Sequence, residues 1–121
     1  MASASERRQT TRATSQLMAS VKRLSTGRVS QMLTKNVSDV GLCLLTEEPV
    51  SRGTQLGIKL QLPTDNAPVI CTSEVVWIMV PGDAHPGARP AVELGVKFVD
   101  IQLRDKQRLR QYALLCTIPP R

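Results

Sequence analysis

From Gln55 to Leu62 the chain alternates strictly: Leu56, Ile58, Leu60 and Leu62 are apolar, and Gln55, Gly57, Lys59 and Gln61 separate them. A period of two places the apolar side chains on one face of an extended strand and leaves the other face wet. Such a strand needs neighbours that cover its apolar face. Those neighbours are visible in the sequence. Residues 16–22, 28–34, 42–46, 69–78 and 91–99 read as further strands, and Gly27, Pro49, Gly53, Pro63 and Pro68 punctuate the gaps. Six short strands with turn signals between them predict an antiparallel sheet closed into a barrel, which leaves no exposed edge. Residues 42–46 are apolar enough to be buried on both faces. Trp77 and Phe98 lie on apolar strands and are assigned to the core.

From Gln102 the period changes. Leu103, Leu109, Tyr112, Ala113 and Cys116 recur at helical spacing, with Arg104, Asp105, Lys106, Arg108 and Arg110 on the other face. This predicts one amphipathic helix covering the barrel and stopping before Pro119-Pro120. Residues 1–14 are rich in Ser, Thr, Ala and Arg and show no apolar period, so they read as a flexible leader. The domain proper is then 15–118. Its mainly-β architecture is a six-stranded antiparallel barrel with a C-terminal α-helix.

Composition narrows the function. The net charge is +6, and residues 1–35 carry all of that excess, with Arg7, Arg8, Arg12, Lys22, Arg23, Arg28 and Lys35 against Glu6. A basic segment of this kind suits an anionic partner. An oligonucleotide groove would need aromatic platforms among the basic residues, and the aromatic residues are only Trp77, Phe98 and Tyr112. A small phosphate-bearing ligand fits better. No run is long and apolar enough to span a membrane, and the first residues do not read as a secretory signal, so a cytoplasmic protein is expected. Cys43, Cys71 and Cys116 form no CxxC pair, and His85 is the sole histidine, set in a Pro/Gly-rich stretch. A metal site, a nucleophile–base pair and a phosphate-loop motif are all missing from the sequence, and catalysis is not expected.

Two segments carry chemistry. The first is Arg8-Gln9-Thr10-Thr11-Arg12, an RxxxR spacing with Arg7 before it. The second is Asn36-Val37-Ser38-Asp39-Val40-Gly41, an NxSxxG pattern ahead of a buried strand. As a pair in this order they resemble the PilZ domain, the bacterial receptor module for cyclic di-GMP, and Glu93 to Asp100 resembles the late strand of that family. The resemblance covers roughly residues 6–116. It implies a six-stranded barrel with a terminal helix, in agreement with the periodicity. It also implies cyclic di-GMP as the ligand, no cofactor and no catalytic activity. Signalling would run by shape change to a protein effector in motility, exopolysaccharide or biofilm control. Arg8 and Arg12 match the family's RxxxR. A guanidinium grips phosphate oxygens with two parallel donors and also stacks on or hydrogen-bonds guanine. Asn36 offers an amide to a guanine edge, Ser38 a hydroxyl, and Gly41 a backbone that a ligand can approach closely. A basic residue just before RxxxR resembles the family's selector for a stacked ligand dimer, so Arg7 implies two ligands per chain. Two other readings stand beside this one: a small basic barrel for RNA or DNA, and a PilZ-like adaptor that binds protein but no nucleotide.

Overall fold

A computed structural model describes residues 12–14, 16–48, 50–64, 66–80 and 92–117. Seven strands precede one helix: β1 (Arg12–Thr14), β2 (Met18–Arg23), β3 (Val29–Ser38), β4 (Gly41–Thr46), β5 (Gln55–Leu60), β6 (Val69–Met79), β7 (Val92–Ile101) and α1 (Leu103–Thr117). All pairings are antiparallel. The order β3-β2-β5-β6-β7-β4 closes because β4 returns to pair with β3, which makes a six-stranded barrel. β1 is an addition to that barrel. It lies on the same edge of β3 as β2, opposite residues 36–38, while β2 takes residues 29–33. The last three residues of the stretch read as a leader, 12–14, are therefore strand; residues 1–11 lie outside the described residues.

The predicted alternation is the physical basis of the core. Leu56, Ile58 and Leu60 of β5 point inward and are at most 2% exposed, and Leu62 just beyond the strand is equally buried. Each such side chain contributes about 1.5–3 kcal/mol of burial. In the same core cluster are Ala19 and Val21 of β2, Val69 and Val75 of β6, and Leu94 and Val96 of β7. β4 is buried on both faces as expected: Leu42 and Leu44 face the core, and outward-facing Cys43 is still only 2% exposed. Phe98 packs against the core.

The helix packs on β1 and β3. Its buried stripe is Asp105, Leu109, Tyr112 and Ala113, an i, i+4, i+7, i+8 set. Leu103 and Cys116, expected on that stripe, fall off it and are exposed. Asp105 is tolerated inside because Arg108 pairs with it at 2.7 Å. The same guanidinium donates to the carbonyls of Ala67 and Pro68, tying the helix to the β5–β6 connection.

The barrel is not regular. Three strands carry an extra residue: Lys35 in β3, between Thr34 and Asn36; Val76 in β6, between Val75 and Trp77; and Val99 in β7, opposite the Thr72/Ser73 step. Each extra residue swaps which parity of the strand faces inward. In β6, Val69, Cys71, Ser73 and Val75 point in, but after Val76 it is Ile78 that packs on the core. Trp77 is thereby turned outward and is 38% exposed. This corrects its assignment to the core.

Candidate functional site

The NxSxxG segment is a strand end, a tight turn and a strand start. Asn36, Val37 and Ser38 close β3, Asp39 and Val40 form the turn, and Gly41 opens β4. Regular alternation from Met32 and Thr34, both buried, would have sent Asn36 inward. The extra residue Lys35 makes Val37 the next inward side chain, fully buried, and leaves Asn36 half-buried on the outer face.

Ser38 is fully buried, and its hydroxyl is committed to the turn. Its Oγ accepts from the amides of Val40 and Gly41, both at 3.2 Å, and donates to the Gly41 carbonyl at 3.1 Å. The hydroxyl expected to meet a ligand is engaged by the turn here: Ser38 satisfies backbone groups that a two-residue turn would otherwise orphan. Gly41 is also needed for a reason other than the one expected. A Cβ there would collide with the Val96 carbonyl oxygen and lie 3.1 Å from Val96 C and 3.2 Å from Lys97 Cα. The close approach is made by β7. Nor is the backbone left-handed at this position: among the described residues the positive-φ glycines are Gly27 and Gly53.

Backbone register assembles the outer face around this turn. Arg12 lies opposite Ser38, and Thr14 opposite Asn36. Asn36 is then opposite Cys43, Cys43 opposite Gly95, and Gly95 opposite Trp77. One row thus crosses five strands, from β1 through β3, β4 and β7 to β6. Gly95 serves Trp77: a Cβ on Gly95 would overlap the indole, so the ring lies flat over the glycine. Gly41, Val76, Trp77, Gly95 and Lys97 help line a cleft of about 140 Å³ beside the turn. Asn36 and Trp77 are three strand spacings apart, roughly 14 Å. Lys97 is exposed opposite Gly41 and adds a positive charge beside the turn.

Register therefore brings Arg12, Asn36, Ser38 and Gly41 together. Arg7 and Arg8 lie outside the described residues, as do His85 and its Pro/Gly-rich stretch. The outer-face Trp77 was missed as a site residue because only the Val76 bulge exposes it. Among the described residues no group of His, Cys, Asp or Glu is placed to hold a metal ion. No helix among them is long and apolar enough to cross a membrane.

A closed six-stranded barrel with one C-terminal helix, in which β1 sets Arg12 beside the NxSxxG segment, defines the class of fold. The PilZ domain family model matches residues 6–115, and the chain belongs to that family. PilZ domains are nucleotide-binding receptors. Three solved structures illustrate the likeness. The Bacillus subtilis inhibitor of motility MotI/DgrA superposes with a TM-score of 0.73 at 20% identity, over 90% of this chain and 50% of its own. The PilZ domain of YcgR from Escherichia coli, solved with c-di-GMP, gives 0.72 at 12% identity over 91% of both chains. The K. pneumonia MrkH–c-di-GMP complex gives 0.72 at 20% identity, over 90% of this chain and 50% of its own. The chain thus spans about half the length of MotI and MrkH. At these identities the likeness is one of fold. No curated protein sequence matches the chain.

Proposed function

We propose that this chain is a cyclic di-GMP receptor without catalytic activity that passes ligand occupancy to a protein effector. The observation that carries the reading is the β1–β3 pairing, which sets Arg12 against Ser38 and Thr14 against Asn36 and so brings the last residue of the first motif beside the second. The c-di-GMP in the YcgR and MrkH structures supports it by analogy of fold.

The division of labour follows from the chemistry. Arg8 and Arg12 hold the phosphodiesters with bidentate, charge-assisted hydrogen bonds, each contributing about 1.5–3 kcal/mol. Asn36, turned outward by its bulge, reads a guanine edge with an amide that both donates and accepts. Ser38 and Gly41 act by fixing the turn that carries Asn36. Trp77 presents an indole face on the same row, a platform for a guanine. Arg7 supplies a third guanidinium, suited to two stacked ligands with their higher charge density. The basic leader that carries RxxxR orders over the ligand, and the surface so formed is what an effector reads. The setting is cytoplasmic, and the regulated process is motility, exopolysaccharide or biofilm formation. MotI is itself an inhibitor of motility.

Isothermal titration of the full chain with cyclic di-GMP tests the reading. Arg8→Ala and Arg12→Ala each weaken binding at least about tenfold, the equivalent of one such contact, with little change in ligand-free melting temperature. Wild type takes two ligands, and Arg7→Leu takes one. A wild-type chain that gives no heat with the nucleotide overturns the receptor reading. A one-to-one endpoint in wild type removes the stacked dimer alone.

A further inference from the structure

Lys35, the extra residue of β3, does not trail into solvent. Its ammonium reaches Glu93 of β7, Nζ to Oε2, at 2.9 Å. Since β4 lies between β3 and β7, the side chain must cross β4 to get there. Cys43 of β4 is 2% exposed although it faces outward, and its thiol donates to the other oxygen of the same carboxylate, Oε1, at 3.8 Å. Glu93 thus takes one partner from β3 and one from β4, with its own side chain 19% exposed. The hydrogen bond and charge of Glu93 raise the Lys35 pKa above its ordinary 10.5, so the ammonium is charged throughout the neutral range. Cys43 is also the cross-strand neighbour of Asn36.

We infer that Lys35 and Glu93 form a strap across β4 that fixes the bulge and so sets the direction of the adjacent Asn36, which makes both of them positioning residues for nucleotide binding. The inference rests on the receptor reading above for its ligand, but not for its geometry. Slippage of β3 by one residue is already opposed by Val37, fully buried only in the bulged register. What Val37 does not fix is the bulged residue itself. An unpaired extra residue has no ladder hydrogen bond of its own, and the Asn36 backbone follows it directly. Pinning the Lys35 ammonium to a second strand fixes that freedom, and a ligand then meets an amide already aimed.

The test uses the full chain and five variants: Glu93→Gln, Lys35→Met, the two combined, Lys35→Arg as the conservative replacement, and Glu48→Gln as a control. Glu48 makes a surface ion pair with Arg28 at the far end of β3. Two readouts are taken: the Asn36 side-chain amide resonances without ligand, and cyclic di-GMP affinity by calorimetry. Glu93→Gln and Lys35→Met each shift the Asn36 amide and weaken binding by about two- to fivefold, the scale of a partly screened ion pair. The double variant loses no more than the larger single loss, because one contact has been removed twice. Lys35→Arg restores both readouts, and Glu48→Gln moves neither. Unmoved amide resonances, unchanged affinity in both single variants, or additive losses overturn the strap. So does a loss confined to Lys35→Met, which would place that ammonium on the ligand itself. If wild type binds no cyclic di-GMP, the receptor reading fails, while the amide resonances still decide the strap.

Discussion

Gly41→Ala separates two accounts of the same glycine. If Gly41 lets a ligand approach the backbone, an added methyl weakens binding and leaves the apo protein sound. The structure says otherwise. The methyl would overlap the Val96 carbonyl and sit 3.1–3.2 Å from two further backbone atoms of β7. None of these is the end of a flexible side chain. To accommodate the methyl, β4 must part from β7 beside the turn that Ser38 holds. Overpacking of this kind costs about 1–3 kcal/mol, and a strained or lost cross-strand hydrogen bond adds about 1 kcal/mol. A total of about 2–4 kcal/mol lowers the melting temperature of a domain this size by roughly 6–20 °C. The assay is thermal unfolding of the ligand-free chain, with Gly27→Ala beside it. Gly27 has φ of +78° and open space within 4 Å of where an alanine methyl would stand, so only its left-handed backbone penalises alanine. That penalty is about 1–2 kcal/mol, and Gly27→Ala melts above Gly41→Ala. A Gly41→Ala chain that melts within about 2 °C of wild type yet fails to bind cyclic di-GMP would refute the reasoning and return this glycine to the ligand.

Two further outcomes follow from the barrel. Trp77→Ala weakens nucleotide binding by the value of one stacked base, about 1–3 kcal/mol, and Trp77→Phe by less; unchanged calorimetric affinity in the alanine variant would mean that the exposed indole meets no base. Inside the barrel, burial pushes the Cys71 thiol from 9.0 up to about 11, partly opposed by its contact with Ser73. The folded chain thus holds that proton more tightly than the unfolded one, so stability is full below about pH 9 and falls by about 2–3 kcal/mol as pH rises to about 11. Urea melts at both pH values should show this loss in wild type and a smaller one in Cys71→Val; equal losses would place the titration on another group.

What could be read from the sequence, and what could not, divides at the bulges. The period-two pattern of β5 located a core strand, and the change of period at Gln102 located the helix. Each of these is a local signal. A bulge is not. Lys35, Val76 and Val99 are ordinary residues in ordinary strand company, and nothing in their identity says that one strand sets two residues against its neighbour's one. Straight alternation through β6 carries Val69, Cys71, Ser73 and Val75 inward and takes Trp77 with them, in line with the core assignment its apolar strand suggested. The same count through β3, from Met32 and Thr34, takes Asn36 inward. In both strands the bulge falls one residue before the polar or aromatic side chain that lies on the outer row, Asn36 or Trp77. The coincidence has a physical sense. A barrel this small must keep most of its inward positions apolar to hold its core, so a strand that alternated without interruption could present only its other parity to a ligand. With one extra residue in β3 and one in β6, the fold keeps Val37 and Ile78 on the core and turns Asn36 and Trp77 to the same outer row. The residues that shape this outer row are therefore Lys35 and Val76 as much as the side chains they expose.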